Sequence, residues 1–233
     1  MKLLHLLSGG AAQGLVTQLE DRFEAKSGCG IDASFGAVGM MKDSLLAGAP
    51  CDVLILTEAL IGQLTVSGEL VAGSAQALGV VKTGVAVRAG EPAPDVGSPA
   101  ALKAALQSAR GIYFPDPLKA TAGIHFMRVL KQLGLDTELA GRLRPFPNGA
   151  TAMRALAEAA EKEPGLLGCT QITEILNTPG VQLIAPLPKE FELATVYTAA
   201  LCTRATQPQA ARELIALLAS ADAAALRRVC GFD

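Results

Sequence analysis

This sequence predicts an α/β fold of two lobes, with mixed, mostly parallel sheets flanked by helices, and three observations predict it. A short apolar strand that runs into a loop of Gly, Ser, Ala or Thr and opens directly into a helix recurs at 3–15 (LLHLLSGGAAQGL), 33–46 (ASFGAVGMMKDSLL) and 112–126 (IYFPDPLKATAGIHF). Strand and helix patterns alternate from the first residue onward, the signature of helices crossing over a largely parallel sheet. Two long extended runs, at 78–90 and 193–203, stand where a chain could leave one lobe and later return to it. With 233 residues there is enough surface to bury for two cores of ordinary size.

Taken in order, strands are expected near 2–7, 30–35, 52–56, 78–88, 110–114, 142–146, 165–169, 180–185 and 195–203. Helices are expected near 11–27, 39–47, 58–67, 99–108, 121–134, 149–161, 171–176, 207–219 and 221–229. The first helix keeps Ala12, Leu15, Leu19 and Phe23 at helical spacing, and CDVLIL (51–56) is a continuous apolar run suited to a central strand. The run LGVVKTGVAVRAG (78–90) is followed by the Pro-rich EPAPDVGSP (91–99), and LATVYTAALCT (193–203) by a final helical pair. The first lobe then holds 1–81 and 196–233, the second 82–195, with hinge strands near 78–88 and 193–203.

Composition excludes several classes. Half the residues are hydrophobic, 4% are aromatic and the net charge is −2, which leaves neither the basic excess nor the stacking platforms of a nucleic-acid binder. The apolar run in MKLLHLL is about five residues, below the roughly 7 to 15 of a signal-peptide core. No stretch approaches the roughly 20 apolar residues of a membrane span. As written, the chain is expected to be soluble and cytoplasmic, without membrane insertion, or periplasmic if an export leader has been removed. The five cysteines, Cys29, Cys51, Cys169, Cys202 and Cys230, are odd in number, widely spaced and without a C-x-x-C pair. That pattern indicates neither a disulfide framework nor a zinc site and is read as buried or loop thiols. With His5 and His125 the only histidines, no metal site and no cofactor are expected.

The recurrent loops carry the functional signal. Small residues let backbone N–H groups approach a ligand, and the positive end of the helix dipole favours an anion. Several such loops together imply a cleft for a small anion. The stretch Gly9-Gly10-Ala11-Ala12-Gln13-Gly14 lacks the middle Gly of G-x-G-x-x-G, and no acidic residue clearly ends the next strand, so a dinucleotide site is disfavoured.

With those residues in view, the chain resembles the molybdate-binding-protein-like branch of the type II periplasmic binding proteins. The resemblance runs from the Ser-containing turn after the first strand, through FGAVGMMKDSLLAGAPCDVLILT (35–57) and DPLKATAGIHF (116–126), to GLLGCTQITEIL (165–176). It implies a ligand cleft between the lobes that closes on binding, and donors at Ser8, Gly9 and Gly10 and at Ala37, Val38 and Gly39. It further implies Thr57 near the mouth, Thr121 and Ala122 at a helix start, and Gln171 flanked by Cys169 and Thr170; Asn148, in FPNGATAMRAL (146–156), is a separate candidate for ligand binding from its expected place facing the cleft. The family's second binding serine falls at Val38, and the tyrosine of molybdate binders falls at Gln171. These departures remove two hydroxyls and add an apolar wall and an amide, which fits a small organic acid better than molybdate or tungstate. An ABC importer is an implied partner only if an export leader has been removed.

Two functions follow. One is a binder that closes on a small carboxylate. The other is a cytoplasmic enzyme on the same fold, as in aconitate isomerase and, more distantly, cyclohexadienyl dehydratase, acting on a small carboxylate by proton transfer or elimination. Its titrating groups would be His125, Cys169 and Glu174.

Each of these residues also has a plainer reading. Ser8, Gly9 and Gly10 make a tight turn. Of Met40 and Met41, one faces the core. Asp116 fixes the loop before its helix, His125 packs half-buried against its lobe, Glu174 is a carboxylate on a helix surface, and Asn148 is a helix cap. The run Glu158, Glu161, Lys162, Glu163 reads as a solvated helix end.

Overall fold

The structure, a computed structural model, describes residues 2–160 and 165–233. Glu161, Lys162 and Glu163 lie outside the described residues, and Glu158, beside them, is exposed. The chain divides into two compact units, Met1–Val81 with Thr195–Asp233, and Lys82–Ala194.

The first unit is built on strands β1 (Lys2–Gly9), β2 (Cys29–Gly36), β3 (Val53–Thr57) and β9 (Ala194–Leu201), in the order β2-β1-β3-β9. β1 pairs in parallel with β2 and β3, and β3 pairs antiparallel with β9. Val53, Leu54, Ile55 and Leu56 are fully buried, as a continuous apolar run in a central strand requires. Helices α1 (Gln13–Ser27), α2 (Val38–Leu46), α3 (Glu58–Val66), α8 (Pro208–Ala219) and α9 (Ala224–Val229) belong to this unit. Leu15, Leu19 and Phe23 of α1 are buried at the spacing expected, and Gly28 ends the helix at φ 67° in the left-handed region.

Asp52 fastens three of these pieces together. Its carboxylate accepts the His5 N–H at 2.8 Å, the Gln207 N–H at 2.8 Å, and both the N–H and the hydroxyl of Thr206. Asp52 thereby joins β1, the entrance of β3 and the start of α8. The chain end closes the unit: Val80 and Asp233 exchange backbone hydrogen bonds at 3.0 and 2.9 Å.

β4 (Gln76–Arg88) begins in the first unit and ends in the second. The second unit adds β5 (Gly111–Pro115), β6 (Leu143–Phe146), β7 (Leu166–Gln171) and β8 (Val181–Pro186), in the order β8-β4-β7-β5-β6. β5 pairs in parallel with β6 and β7, whereas β4 pairs antiparallel with β7 and β8. The sheets are therefore mixed: parallel around β1 and β5, antiparallel around β4 and β9. Its helices are α4 (Pro99–Ser108), α5 (Thr121–Leu133), α6 (Gly149–Ala157) and α7 (Ile172–Leu176).

Two apolar layers cover opposite faces of this sheet. One brings Phe114, Leu167 and Cys169 against Phe126, Val129 and Leu130 of α5. The other brings Tyr113 and Leu166 against Ala152, Met153 and Leu156 of α6. Of three short 3-10 turns among the described residues, Gly10–Ala12 overlaps the start of the helix expected near 11–27, Ala140–Arg142 meets the strand expected near 142–146, and Lys189–Phe191 has no counterpart in the expected elements. Among the described residues, no helix is long and apolar enough to cross a membrane.

Candidate functional site

In the first unit the carboxyl ends of β1 and β2 are in register, with Ser8 beside Phe35 and Gly9 beside Gly36, and Ser8 also faces Ile55 of β3. Loops at the carboxyl ends of parallel strands are where ligands bind in α/β sheets. Gly9 is required there, because a Cβ would sit 2.9 Å from both Tyr197 Cε1 and Val38 Cγ1. Ser8 is buried and its hydroxyl donates to the Gly9 carbonyl at 2.9 Å. Ala37 and Val38 are buried at the start of α2, Gly39 is half-buried, Met41 enters the core and Met40 is exposed.

Tyr197, absent from the expected site, stands opposite Thr57 on β9 and forms one wall of the Gly9 turn. Thr57 itself caps α3, accepting the Leu60 N–H at 3.4 Å. The hydroxyl proton of Thr57 is not used by this bond.

The second unit holds the clearest polar anomaly. Gln171 is 3% exposed and neither its Nε2 nor its Oε1 has a hydrogen-bond partner. Thr83, 1% exposed, stands directly opposite it in the β4–β7 pair, and its Oγ1 is also unpartnered. Residues directly opposite on an antiparallel pair share a face. Strand alternation places Leu167, Cys169 and Gln171 on the face that packs against α5. At the same end, α5 is seated on β5: a Cβ on Gly123 would collide with the carbonyl oxygens of Pro115 and Asp116. The unpaired Gln171 amide and Thr83 hydroxyl thus share the α5 side of the sheet, at the strand end where Thr121 and Ala122 open that helix.

Capping separates the helix starts into two groups. Thr57, Ser98 and Asn148 cap α3, α4 and α6 with their own side chains, and Asp52 and Ser220 accept N–H groups at the starts of α8 and α9. The 3-10 turn leading into α1, and the starts of α2, α5 and α7, receive no side-chain cap hydrogen bond. The first three of these are the starts at which the sequence leads one to expect an anion.

Several expected site residues have other partners. Asn148 Oδ1 accepts the Thr151 N–H at 2.8 Å as the α6 cap. Asp116, not itself an expected site residue, fixes the loop before α5 as expected, its Oδ1 accepting the N–H groups of Leu118 and Lys119. Thr170 lies on the α6 face, away from Gln171, and donates its hydroxyl to Glu174 Oε2 at 2.5 Å.

Glu174 corrects its reading as a helix-surface group. It is 6% exposed and accepts backbone N–H groups from Gly149, Ala150 and Gln171. Burial pushes its carboxyl above the ordinary range, and the four hydrogen bonds offset part of that push. A carboxylate at the start of α6 satisfies orphan donors there, so Glu174 holds the fold together at that point. Cys169 is the buried thiol that its plainer reading describes. Its side chain lies in the α5-side apolar layer and burial pushes its thiol up, which disfavours the thiolate that chemistry needs.

His125 is half-buried on α5, and its Nε2 lies 2.7 Å from the Phe191 carbonyl. A carbonyl only accepts, so Nε2 carries the proton and, in the neutral ring, Nδ1 is the acceptor. No group of three residues able to hold a metal occurs among the described residues. Two surface cavities are lined by none of the candidate ligand-binding or titrating residues, although Leu167 borders the second. One, of about 480 Å³ in the first unit, is bordered by Ser74, Gln76 and Arg212; the other, of about 290 Å³ in the second unit, by Val87, Glu91 and Ser108.

The chain is 28% identical over 227 residues to an aconitate isomerase from a Pseudomonas species, covering 95% of this chain and 84% of that one. The periplasmic molybdate-binding protein of Azotobacter vinelandii superposes with a TM-score of 0.80 at 20% identity, over 99% of this chain and 98% of the other. The sulfate-binding protein SubI of Mycobacterium tuberculosis superposes at 0.76 with 17% identity, over 100% and 86%. At such identities the structures establish the shared fold, that of the type II periplasmic binding proteins. Residues 4–233 match the bacterial extracellular solute-binding protein family, and the chain belongs to that family.

Proposed function

We propose that this protein binds a small organic carboxylate. The observation that carries the reading is the buried Gln171 amide, unpaired at both ends, beside the unpaired Thr83 hydroxyl. A buried polar group without a partner costs about 1–3 kcal/mol, so a site that tolerates three such atoms favours a ligand that completes them. Each unit by itself has a helix start free of a side-chain cap, at Val38 in the first and at Thr121 in the second, whose N–H groups suit a carboxylate. Val38 offers methyl groups at the Gly9 turn, where a fully oxygenated tetrahedral anion gains nothing and a carbon skeleton does.

A second reading has its own support. The likeness to an aconitate isomerase extends over nearly the whole chain, and isomerisation of an unsaturated carboxylate requires a group that removes and returns a proton. With Cys169 in the apolar layer and Glu174 committed to the start of α6, His125 Nδ1 is the base left among the three candidates.

A thermal-shift panel of di- and tricarboxylates, molybdate, tungstate and sulfate, with proton NMR of each mixture, tests both. Stabilisation by a carboxylate whose spectrum stays unchanged supports the binder. Conversion of that carboxylate, lost in His125→Gln with binding retained, supports the isomerase. Stabilisation by molybdate, tungstate or sulfate alone refutes both.

A further inference from the structure

Three of the five cysteines are solitary. Cys169 lies in an apolar layer, Cys29 donates to the Gly30 carbonyl at 3.6 Å, and Cys230 accepts from the Gln18 amide at 3.7 Å. The other two meet: Cys51 and Cys202 are both buried and their sulfurs lie 3.3 Å apart. The contact is set by the backbone. Val53 pairs with Leu201 across β3 and β9, and the ladder continues as the Cys202 N–H donates to the Asp52 carbonyl at 3.0 Å. Asp52, between them, is fixed through its carboxylate to His5, Thr206 and Gln207. Neither strand end is free to drift from the other.

We propose that Cys51 and Cys202 are a disulfide-forming pair, closed when the chain folds in the presence of a small-molecule or protein disulfide. The bond is about 2.05 Å long, so the sulfurs need to approach by about 1.3 Å, within reach of modest side-chain rotation. The Cys51 thiolate attacks the external disulfide, releasing one thiol and forming a mixed disulfide. The Cys202 thiolate then attacks the Cys51 sulfur, expelling the second thiol. The protein loses two protons and two electrons, and the external disulfide is reduced to two thiols. In the folded chain the hydrogen bond between the pair, and burial, push the Cys202 thiol up. Exchange therefore belongs to folding, before the strand ends are sealed.

The bond would join positions 151 residues apart, one from each of the two chain segments that make up the first unit. A link of that span removes much of the freedom of the unfolded chain. The pairing was invisible in the sequence, where wide spacing and an odd count pointed away from disulfides. It is independent of the ligand.

The test is to refold reduced, denatured protein with oxidised and reduced glutathione, and in parallel with dithiothreitol, followed by alkylation and peptide mapping. The expected map after glutathione shows the Cys51 and Cys202 peptides linked and Cys29, Cys169 and Cys230 alkylated. The melting temperature should rise on the order of 5–15 °C over the reduced form. Cys202→Ala should show no redox dependence of its melting temperature. Five alkylated cysteines after glutathione, or a link between any other two, overturns the pairing whether or not the variant refolds. A correct link without a rise in melting temperature overturns its stabilising role.

Discussion

Thr83 and Gln171 face each other across the β4–β7 pair, both buried, and neither side chain has a polar partner. Leaving donors and acceptors unmet in a protein interior is costly, whereas replacing such a group by an apolar one of similar shape is nearly neutral or stabilising. Gln171→Leu should therefore unfold, without ligand, at the same urea concentration as the wild type or a higher one. A loss of more than about 1 kcal/mol would show that the amide already has a stabilising partner in the unliganded protein.

The start of α6 leaves no room for a side chain. A Cβ on Gly149 would collide with Glu174 Oε2 and Thr170 Oγ1. Gly149→Ala must displace a buried carboxylate that holds three backbone N–H groups, so a loss of about 2–4 kcal/mol is expected in urea unfolding. A loss below 1 kcal/mol would mean that the carboxylate is not fixed there.

Glu174 also sets a pH dependence. Its folded pKa lies above the ordinary 4.5 because burial disfavours the charge. Between those two values the folded chain keeps a proton that the unfolded chain has released, so this group's contribution to stability falls as pH rises from about 4.5. Wild type minus Glu174→Gln, measured by urea unfolding at a series of pH values, should decline upward from that point. A difference that stays flat, or climbs with pH, contradicts the direction.

Asp52 gathers β1, β3 and α8 through hydrogen bonds to His5, Thr206 and Gln207. Removing one partner from a buried charged network strands several N–H donors together. Asp52→Ala should cost about 3 kcal/mol or more, read from the midpoint of urea unfolding. An unchanged midpoint would remove Asp52 from the account of the first unit.

Much of the fold was legible because its local chemistry is strong. Apolar runs such as 51–56 read as central strands, and the Leu15, Leu19, Phe23 spacing marks a buried helix face. The site was less legible, since its features depend on pairing between distant segments. Thr83 lies in a long apolar strand, where a lone buried hydroxyl could have raised a question, but its opposition to Gln171 is a matter of register. Tyr197 comes to the Gly9 turn only through the antiparallel pairing of β9 with β3. Glu174 has the helical position of a surface residue. The one local sign of its burial is Gly149, directly after the Asn148 cap.

The most direct test of the central claim is calorimetric titration of wild type and Gln171→Leu with the carboxylate that stabilises the protein most, and with molybdate. The account predicts that the carboxylate binds wild type more tightly than molybdate does, and that Gln171→Leu weakens it at least tenfold while remaining as stable as wild type without ligand. Equal carboxylate affinity in the two proteins, or tighter binding of molybdate by wild type, would contradict it.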